Sequence, residues 1–257
     1  MIEARNLTIA AGARTLLSNV TFAAAPGELI AILGPNGVGK TTLLRTLAGV
    51  RRAVGGEVRI DGSNAALLDP ASRARALAFM AADDFFADAM TVHEVVAMGR
   101  YPYRKWWQWA ANERDESAIS DALDAVRMAD YAARTFTTLS SGERQRVWLA
   151  LGLAQEAPLL LLDEPTSHLD VRVAHGILAL LRAQVARGKT VICVLHDVNE
   201  AAEFADRILL LGCGRALAFA APPEVFASGL FETAYGVAIE LVRAPSGAMR
   251  VFVKSSE

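Results

Sequence analysis

Apolar runs and helical patterns alternate along this chain. Residues 1–30 alternate apolar and polar positions, which predicts short strands of an antiparallel sheet. Continuous apolar runs predict strands buried on both faces at 29–33, 77–80, 159–162, 190–195 and 208–211. Apolar residues at helical spacing predict helices at 64–76, 91–98, 113–133, 139–153, 171–187 and 222–236. The alternation predicts an α/β fold with a largely parallel sheet beside a smaller antiparallel one.

A glycine-rich stretch from Gly34 to Thr42 lies between a buried strand and a helix. It reads GPNGVGKTT and fits the pattern G-x-x-x-x-G-K-[ST] at every defined position. Such glycines let successive backbone N–H groups converge on phosphate oxygens, and the helix N-terminus adds partial positive charge. A strand–helix turn that binds nothing is the alternative, and the flanking pattern argues against it. The residues expected to contact nucleotide are Asn36, Gly37, Gly39, Lys40, Thr41 and Thr42.

Individual roles follow for a phosphate site of this kind. Lys40 should reach the β- and γ-phosphates, and the Thr41 hydroxyl should ligate Mg²⁺. The strand at 159–162 ends in Asp163 and Glu164, which are suited to holding Mg²⁺ through water and to polarising the attacking water. His196 ends another strand, where it could contact the γ-phosphate and that water.

A fourth feature is the helix start Ser140-Ser141-Gly142-Glu143, whose hydroxyls and N–H groups suit a γ-phosphate. Taken singly, each feature has an ordinary structural explanation. Serine is a common helix cap, acids often end sheet strands, and a lone histidine is more often structural than catalytic. Their order and contexts together favour a phosphoryl-transfer site that uses Mg²⁺.

Composition and charge argue against several classes of function. The chain has 257 residues and a formal net charge of −2, which gives no electrostatic case for nucleic acid as a partner. No apolar run approaches the roughly 18–20 residues of a membrane span, and the N-terminus lacks a signal-peptide pattern. We therefore expect a soluble cytoplasmic protein that acts at a membrane only through a partner. Cys193 and Cys213 are expected to be small buried side chains rather than a disulfide or metal pair.

With these motifs in this order, the sequence resembles the ATP-binding subunits of ABC transporters over nearly its whole length. The 139–143 stretch resembles the family signature LSGGQ, residues 167–170 resemble the D-loop that ends at Asp170, and His196 matches the switch histidine. The resemblance implies a single nucleotide-binding domain over 1–257. That domain is a P-loop NTPase with an antiparallel β subdomain and a helical signature subdomain inserted at about 84–155.

The resemblance also implies partners. Two copies would stack head to tail, so that each ATP lies between the phosphate loop of one copy and Ser140, Ser141, Gly142, Glu143 and Asp170 of the other. Within the family, residues 91–102, 195–202 and 222–226 resemble importers of iron(III)-siderophores, haem or cobalamin. An integral membrane permease, an indirect substrate-binding protein and a peripheral position at the cytoplasmic face of the membrane are therefore implied.

Two positions depart from the family pattern. Ala11 stands where an aromatic ring usually stacks on adenine, and Leu16 with the stem of Arg14 is expected to cover the base instead. Ala82 stands where the family has the Q-loop glutamine, which water or Asp83 would have to replace. The departure at Ala82 keeps open a nucleotide-binding switch with low turnover.

A soluble ABC ATPase acting on nucleic acid or ribosomes is a further alternative, and the absence of a basic face argues against it. The aromatic and basic cluster from Tyr101 to Trp109 either faces a partner or packs on the helical subdomain.

Overall fold

The computed structural model describes residues 1–81, 89–104, 112–243 and 249–254. In this part of the chain the strands are β1 (Ile2–Ala11), β2 (Arg14–Ala24), β3 (Leu29–Leu33), β4 (Gly55–Ile60), β5 (Ser63–Asn64), β6 (Leu77–Met80), β7 (Leu159–Leu162), β8 (Thr190–Val194), β9 (Arg207–Gly212), β10 (Arg215–Ala220), β11 (Ile239–Arg243) and β12 (Met249–Val253).

The α-helices described are α1 (Lys40–Leu47), α2 (Pro70–Ala76), α3 (Val92–Ala97), α4 (Glu113–Ala125), α5 (Ser141–Ala154), α6 (Val171–Ala186), α7 (Val198–Phe204), α8 (Pro222–Ala227) and α9 (Leu230–Tyr235). Short 3₁₀ turns lie between several of them, for example over Met98–Tyr103 directly after α3.

A six-stranded sheet forms the centre of the molecule. Its strand order is β10-β9-β3-β8-β7-β6, and all neighbours are parallel except β10 and β9. All five residues of β3 are buried, because the sheet is covered on both faces. The predicted α/β fold with a mostly parallel sheet is confirmed.

The predicted antiparallel sheet is also present, with strand order β2-β1-β4-β5. Ile2 pairs with Ala24 on one side and with Ile60 on the other. The apolar face of this sheet and helix α1 form one hydrophobic core with one face of the central sheet, including Ile30 and Ile32. Alternate residues of β3 point the other way, into a second core. This second core includes buried residues of α3 to α9. Strand β3 therefore packs in both cores, and the phosphate loop that follows it lies between them.

Two predicted helices were too long. The helix predicted at 113–133 ends at Ala125, because Arg127 takes a left-handed backbone conformation with φ of 59° that stops the helical path. The helix predicted at 64–76 begins only at Pro70, where Asp69 caps the first turn and proline suits the first helical position. Residues 65–67 form a separate 3₁₀ turn.

The C-terminal part differs most from the prediction. The single helix predicted at 222–236 is two helices, interrupted at Gly229, whose φ of 73° is left-handed. Strands β11 and β12 then pair as an antiparallel hairpin that the sequence pattern did not predict. The side-chain amide of Asn199 pins this hairpin to α7, accepting from the Val251 N–H at 2.8 Å and donating to the Val251 carbonyl at 3.2 Å.

The prediction of two buried cysteines is half right. Cys193 is buried in β8, where burial, with a smaller effect of the Glu200 charge, raises the pKa of its thiol to about 12. The prediction for Cys213 was wrong, because this residue lies exposed in the turn between β9 and β10. Both thiols are free.

Some sequence predictions lie outside the described residues. These are the Q-loop positions Ala82 and Asp83 and the tryptophans of the Tyr101–Trp109 cluster. Tyr101 itself is 62% exposed, whereas the Tyr103 hydroxyl donates to the Gln155 carbonyl at 2.9 Å. Among the described residues, no helix combines the length and the apolarity needed to cross a lipid bilayer.

Candidate nucleotide-binding and hydrolysis site

The phosphate loop connects β3 to α1 through a backbone that requires glycine. At Gly34 the φ is 156°, and an added Cβ would lie 2.6 Å from the Leu211 carbonyl oxygen of the neighbouring strand. Gly39 caps α1 with a φ of 111°, a left-handed conformation that L side chains rarely adopt. Only glycine therefore fits these two positions on the path from the central sheet to α1.

Lys40 is held beneath this loop. Its side chain is nearly buried, and Nζ donates to the carbonyls of Gly34 at 2.7 Å and Pro35 at 3.1 Å. Burial lowers the pKa of Lys40, and the charges of Glu164 and Asp163 oppose that shift. The ammonium group is thus positioned by backbone carbonyls and lies within the field of both acids predicted for the site.

The expected metal ligands are in direct contact. The Thr41 hydroxyl donates to Oδ1 of Asp163 at 3.1 Å, and Asp163 is only 4% exposed. Thr41 lies in the first turn of α1 and Asp163 follows β7, so adjacent parts of the fold supply one oxygen pair. Hydroxyl and carboxylate oxygens are the ligands that Mg²⁺ prefers, and Mg²⁺ keeps several waters besides. The donor set therefore fits this ion.

Glu164 is held in a strained conformation by its neighbours. Its φ of 51° is left-handed, which costs a non-glycine residue about 1–3 kcal/mol. Its Oε1 lies 2.7 Å from Nε2 of His196, and its Oε2 accepts from the Ser167 hydroxyl at 3.0 Å. Burial raises the pKa of Glu164, but the hydrogen bonds from His196 and Ser167 and the charges of His196 and Lys40 outweigh it. The pKa is therefore lowered on balance, and the carboxylate is ionised near neutral pH.

The signature residues form an exposed helix start. The Ser140 hydroxyl accepts from the Glu143 N–H at 3.4 Å, and the Glu143 carboxylate accepts from the Ser140 N–H at 2.8 Å and hydroxyl at 2.7 Å, which makes a capping box. These Ser140 hydrogen bonds lower the pKa of Glu143. Ser140 and Ser141 are exposed, while a Cβ on Gly142 would lie 3.0 Å from the Val173 side chain in α6.

The structure brings together one part of the predicted site and keeps another part separate. Lys40, Thr41, Asp163, Glu164 and His196 are linked by direct contacts or by charge. The tip of the loop at Asn36 and Gly37 is exposed, and Thr42 is half-buried in the first turn of α1.

Ser140 and Glu143, by contrast, hydrogen bond to each other at the start of α5. Asp170 caps α6, where its carboxylate accepts from the Val173 N–H at 3.0 Å. This second group therefore surrounds the junction of α5 and α6 rather than the phosphate loop.

The expected cover for adenine is placed beside the loop. Leu16 is half-buried, and a Cβ on Gly39 would lie 3.3 Å from the Leu16 Cβ. Leu16 also lines an open pocket of ≈ 590 Å³ between β2 and the turn that holds Cys213 and Arg215. Arg14 and Ala11 are exposed near the β1–β2 turn. Leu16 contacting the base stays a prediction.

Several contacts to the site were missed by sequence reasoning. The Tyr235 hydroxyl accepts from the Gly34 N–H at 2.8 Å, across 201 positions of sequence, and no local signal could have indicated it. The Gln145 amide donates to the Pro165 carbonyl at 2.9 Å, and the Thr166 hydroxyl donates to Glu200 at 2.9 Å. Gln145 follows Ser141 by four residues, a spacing that places both on one helix face and could have identified it.

Comparison with known proteins supports the family resemblance. A family model described as ABC transporter matches residues 17–167, which span the phosphate loop, the signature and the Asp163–Glu164 pair. The chain belongs to the ABC transporter family. Members of this family bind ATP, and its transporter ATP-binding proteins are ATPases.

Curated relatives extend over almost the whole chain. The hemin import ATP-binding protein HmuV of Gloeobacter violaceus is 42% identical over 95% of this chain and 90% of its own length. The ferric enterobactin transport ATP-binding protein FepC of Escherichia coli is 36% identical over 95% and 90%, respectively.

Solved structures agree with the fold. A chain of an inward-facing ABC transporter, described as of metal-chelate type, superimposes with a TM-score of 0.86 over 99% of this chain and 97% of its own length, at 25% identity. The ATP-binding cassette MJ0796, in a dimeric post-hydrolysis state with ADP and Pi, gives a TM-score of 0.73 at 29% identity. It is covered over 99% of its own length and matches 86% of this chain. The predicted P-loop NTPase fold is therefore confirmed.

Proposed function

We propose that this chain is the ATP-hydrolysing subunit of an importer for an iron chelate such as hemin or an iron-siderophore. The observation that carries hydrolysis is the Glu164–His196 contact of 2.7 Å, next to the Thr41–Asp163 pair and Lys40. The cargo class is supported by relatives named for hemin and ferric enterobactin transport. Cobalamin belongs to the same proposal through the sequence resemblance alone.

The proposed mechanism assigns each residue a role around ATP. Loop N–H groups and the Lys40 ammonium bind the β- and γ-phosphates. Thr41 and Asp163 would hold Mg²⁺, which would neutralise charge on the phosphate oxygens. Glu164 accepts a proton from the water as the water oxygen bonds to the γ-phosphorus, and the bond from that phosphorus to the bridging oxygen of ADP breaks. His196 orients Glu164 and faces the γ-phosphate.

The proposed assembly is a head-to-tail dimer bound to an integral membrane permease at the cytoplasmic face of the membrane. Exposure of Ser140 and Ser141 supports it, because a second subunit can reach both residues. The dimeric state of the related cassette MJ0796 adds support. In the proposed dimer, Ser140 to Glu143 and Asp170 of one copy complete the ATP site of the other. A substrate-binding protein would act on the permease from the opposite side.

The test is transport by the assembled complex. The integral membrane protein that binds the chain is co-purified with it. The complex is then reconstituted in proteoliposomes and supplied with ATP and Mg²⁺. We expect ATP-dependent uptake of hemin or of a ferric siderophore, with ATP hydrolysis stimulated by the permease. The Glu164→Gln variant is the matched control and should give neither. ATP binding without measurable hydrolysis in the wild-type complex would instead support the low-turnover switch.

A further inference from the structure

The signature helix contacts the loop that carries the proposed general base. Gln145 lies on α5, and its side-chain amide donates to the Pro165 carbonyl at 2.9 Å. Pro165 is buried and directly follows Glu164. The contact therefore joins the helix that begins at the signature to the backbone next to the residue proposed to take a proton from water.

This tie completes a set of supports around a strained loop. The Asp163 N–H donates to the Met80 carbonyl at 2.8 Å, and the Thr166 hydroxyl donates to Glu200 of α7 at 2.9 Å. Glu164 itself has the left-handed φ of 51° and is held by His196. Successive residues of the loop are thus fixed by different elements, and the Gln145 contact is the one that comes from α5.

Helix α5 is suited to transmit a displacement between its ends. Ser141 and Gln145 are four residues apart, so they share a face and are separated by about 6 Å along the helix axis. A single α-helical turn between them leaves little room for one to move without the other. A shift of the helix start when it meets a phosphate would therefore change the distance from the Gln145 amide to the Pro165 carbonyl.

We propose that Gln145 is a positioning residue that couples the two ATP sites of the dimer, by linking the signature helix of each subunit to that subunit's own Glu164. The inference rests on the proposed head-to-tail function. The signature of one copy meets the ATP bound by its partner, while Glu164 of the same copy acts on the ATP bound by its own phosphate loop. ATP binding at one site would therefore change the position of the general base at the other site.

The chemistry of the contact explains why a glutamine serves here. A backbone carbonyl needs a donor, and the glutamine amide supplies one without adding charge beside Glu164. Gln145→Met keeps the side-chain length and removes the donor. Gln145→Lys restores a donor of similar reach. Gln155, which directly follows the last residue of α5, offers a matched control. Its amide also donates to carbonyls, those of Ala74 and of Leu77, the latter at 2.8 Å, and both are far from Glu164 in sequence.

The experiment measures ATP hydrolysis by the full-length chain, assembled with its permease, over an ATP titration. For Gln145→Met we expect kcat to fall about three- to tenfold, the loss of one neutral hydrogen bond, with ATP affinity of the subunit unchanged. With two ATP sites per dimer, we expect the Hill coefficient to fall from above 1 to about 1. Gln145→Lys should recover part of both. Gln155→Met should lower the midpoint of thermal unfolding but leave the Hill coefficient at the wild-type value.

The outcomes are distinguishable. A wild-type chain that does not hydrolyse ATP cooperatively would overturn the proposed dimer function. Cooperative wild-type hydrolysis with an unchanged Hill coefficient in Gln145→Met would overturn the coupling role alone. Equal effects of Gln145→Met and Gln155→Met would show that both glutamines only stabilise the fold. If Gln145→Met does not fold, Gln145→Asn, whose side chain is one methylene shorter, replaces it in the same assay with the same expected outcomes.

Discussion

The phosphate-loop region and the signature region contrast in how their polar groups are satisfied. Around the loop, Lys40, Asp163 and Glu164 are buried or half-buried. Lys40 donates to carbonyls of its own loop, whereas Asp163 and Glu164 contact groups from other parts of the fold. At the signature, Ser140 and Glu143 satisfy each other at an exposed helix start. Burying charged groups costs free energy even when they are paired, so a cluster of buried charges indicates a functional site. An exposed capping box carries no such cost and is stable without further partners. One region is thus organised within a single chain, and the other is available to a second chain.

The first prediction removes the proposed general base from the organised region. Glu164→Gln keeps the shape of the side chain but loses the carboxylate, so hydrolysis should fall about 10²–10⁴-fold while ATP binding is retained. Because bound ATP is not hydrolysed, the variant should also trap an ATP-bound dimer. Single-turnover hydrolysis measures the rate, and light scattering with ATP measures the dimer. Glu224→Gln, an exposed glutamate in α8, is the matched control. Undiminished turnover in Glu164→Gln would exclude the catalytic role.

The second prediction concerns ATP binding in the same region. Lys40→Ala removes a charged donor beneath the loop, which should weaken ATP binding about 10–100-fold. Lys189 is the control, because it is also partly buried, has a pKa lowered by burial and donates to the Ala157 carbonyl at 2.7 Å. Lys189→Ala should lower thermal stability without changing ATP affinity by calorimetry. Equal ATP affinities in both variants would contradict the phosphate-loop assignment.

The third prediction tests the exposed region. Ser141→Arg places a long charged side chain on the helix face proposed to meet the partner's ATP. In a Glu164→Gln background, we expect the added substitution to abolish the ATP-induced dimer seen by light scattering. ATP affinity of the single subunit should stay within about twofold, because Ser141 lies outside the phosphate loop. A dimer that still forms would show that the signature is not at the subunit contact.

The fourth prediction has the smallest expected effect. It tests whether the hydrogen bond between Gly34 and Tyr235 affects ATP binding or only the stability of the fold. Tyr235→Phe removes the acceptor for the Gly34 N–H and should cost about 1 kcal/mol of unfolding free energy. Tyr103→Phe removes another hydroxyl hydrogen bond, to the Gln155 carbonyl, and should cost a similar amount. Denaturant titration measures both losses. Only Tyr235→Phe should also raise the KM for ATP, and equal KM values would restrict Tyr235 to a structural role.

Sequence reasoning was most successful where the signal is local. The glycine pattern before Lys40 and the apolar run before Asp163 are contiguous, so both the strands and their junctions could be read directly. The positive φ at Arg127 and the break at Gly229 depend on single residues within helical patterns, and these boundaries were missed. The predicted helical subdomain at about 84–155 and the individual site roles stay predictions.

Contacts between distant segments were not predictable from pattern. Tyr235 meets Gly34 only because α9 packs beside β9, and this packing depends on the whole central sheet. The hairpin of β11 and β12 has few buried residues, so its alternation of apolar and polar positions is weak. Its docking combines the burial of Val251 in the hydrophobic core with a pair of hydrogen bonds between Asn199 and the backbone of Val251.

The hydrogen bonding of Glu164 has a consequence for ATP consumption in the cell. One carboxylate oxygen faces His196 and the other accepts from Ser167, so each oxygen has one protein partner and keeps a lone pair for a water molecule. The base is therefore in place in a single chain, and the proposed dimer adds the partner's signature residues that complete the site. We expect idle copies that await a partner subunit and a permease to hydrolyse little ATP, and ATP consumption to begin when assembly completes each site.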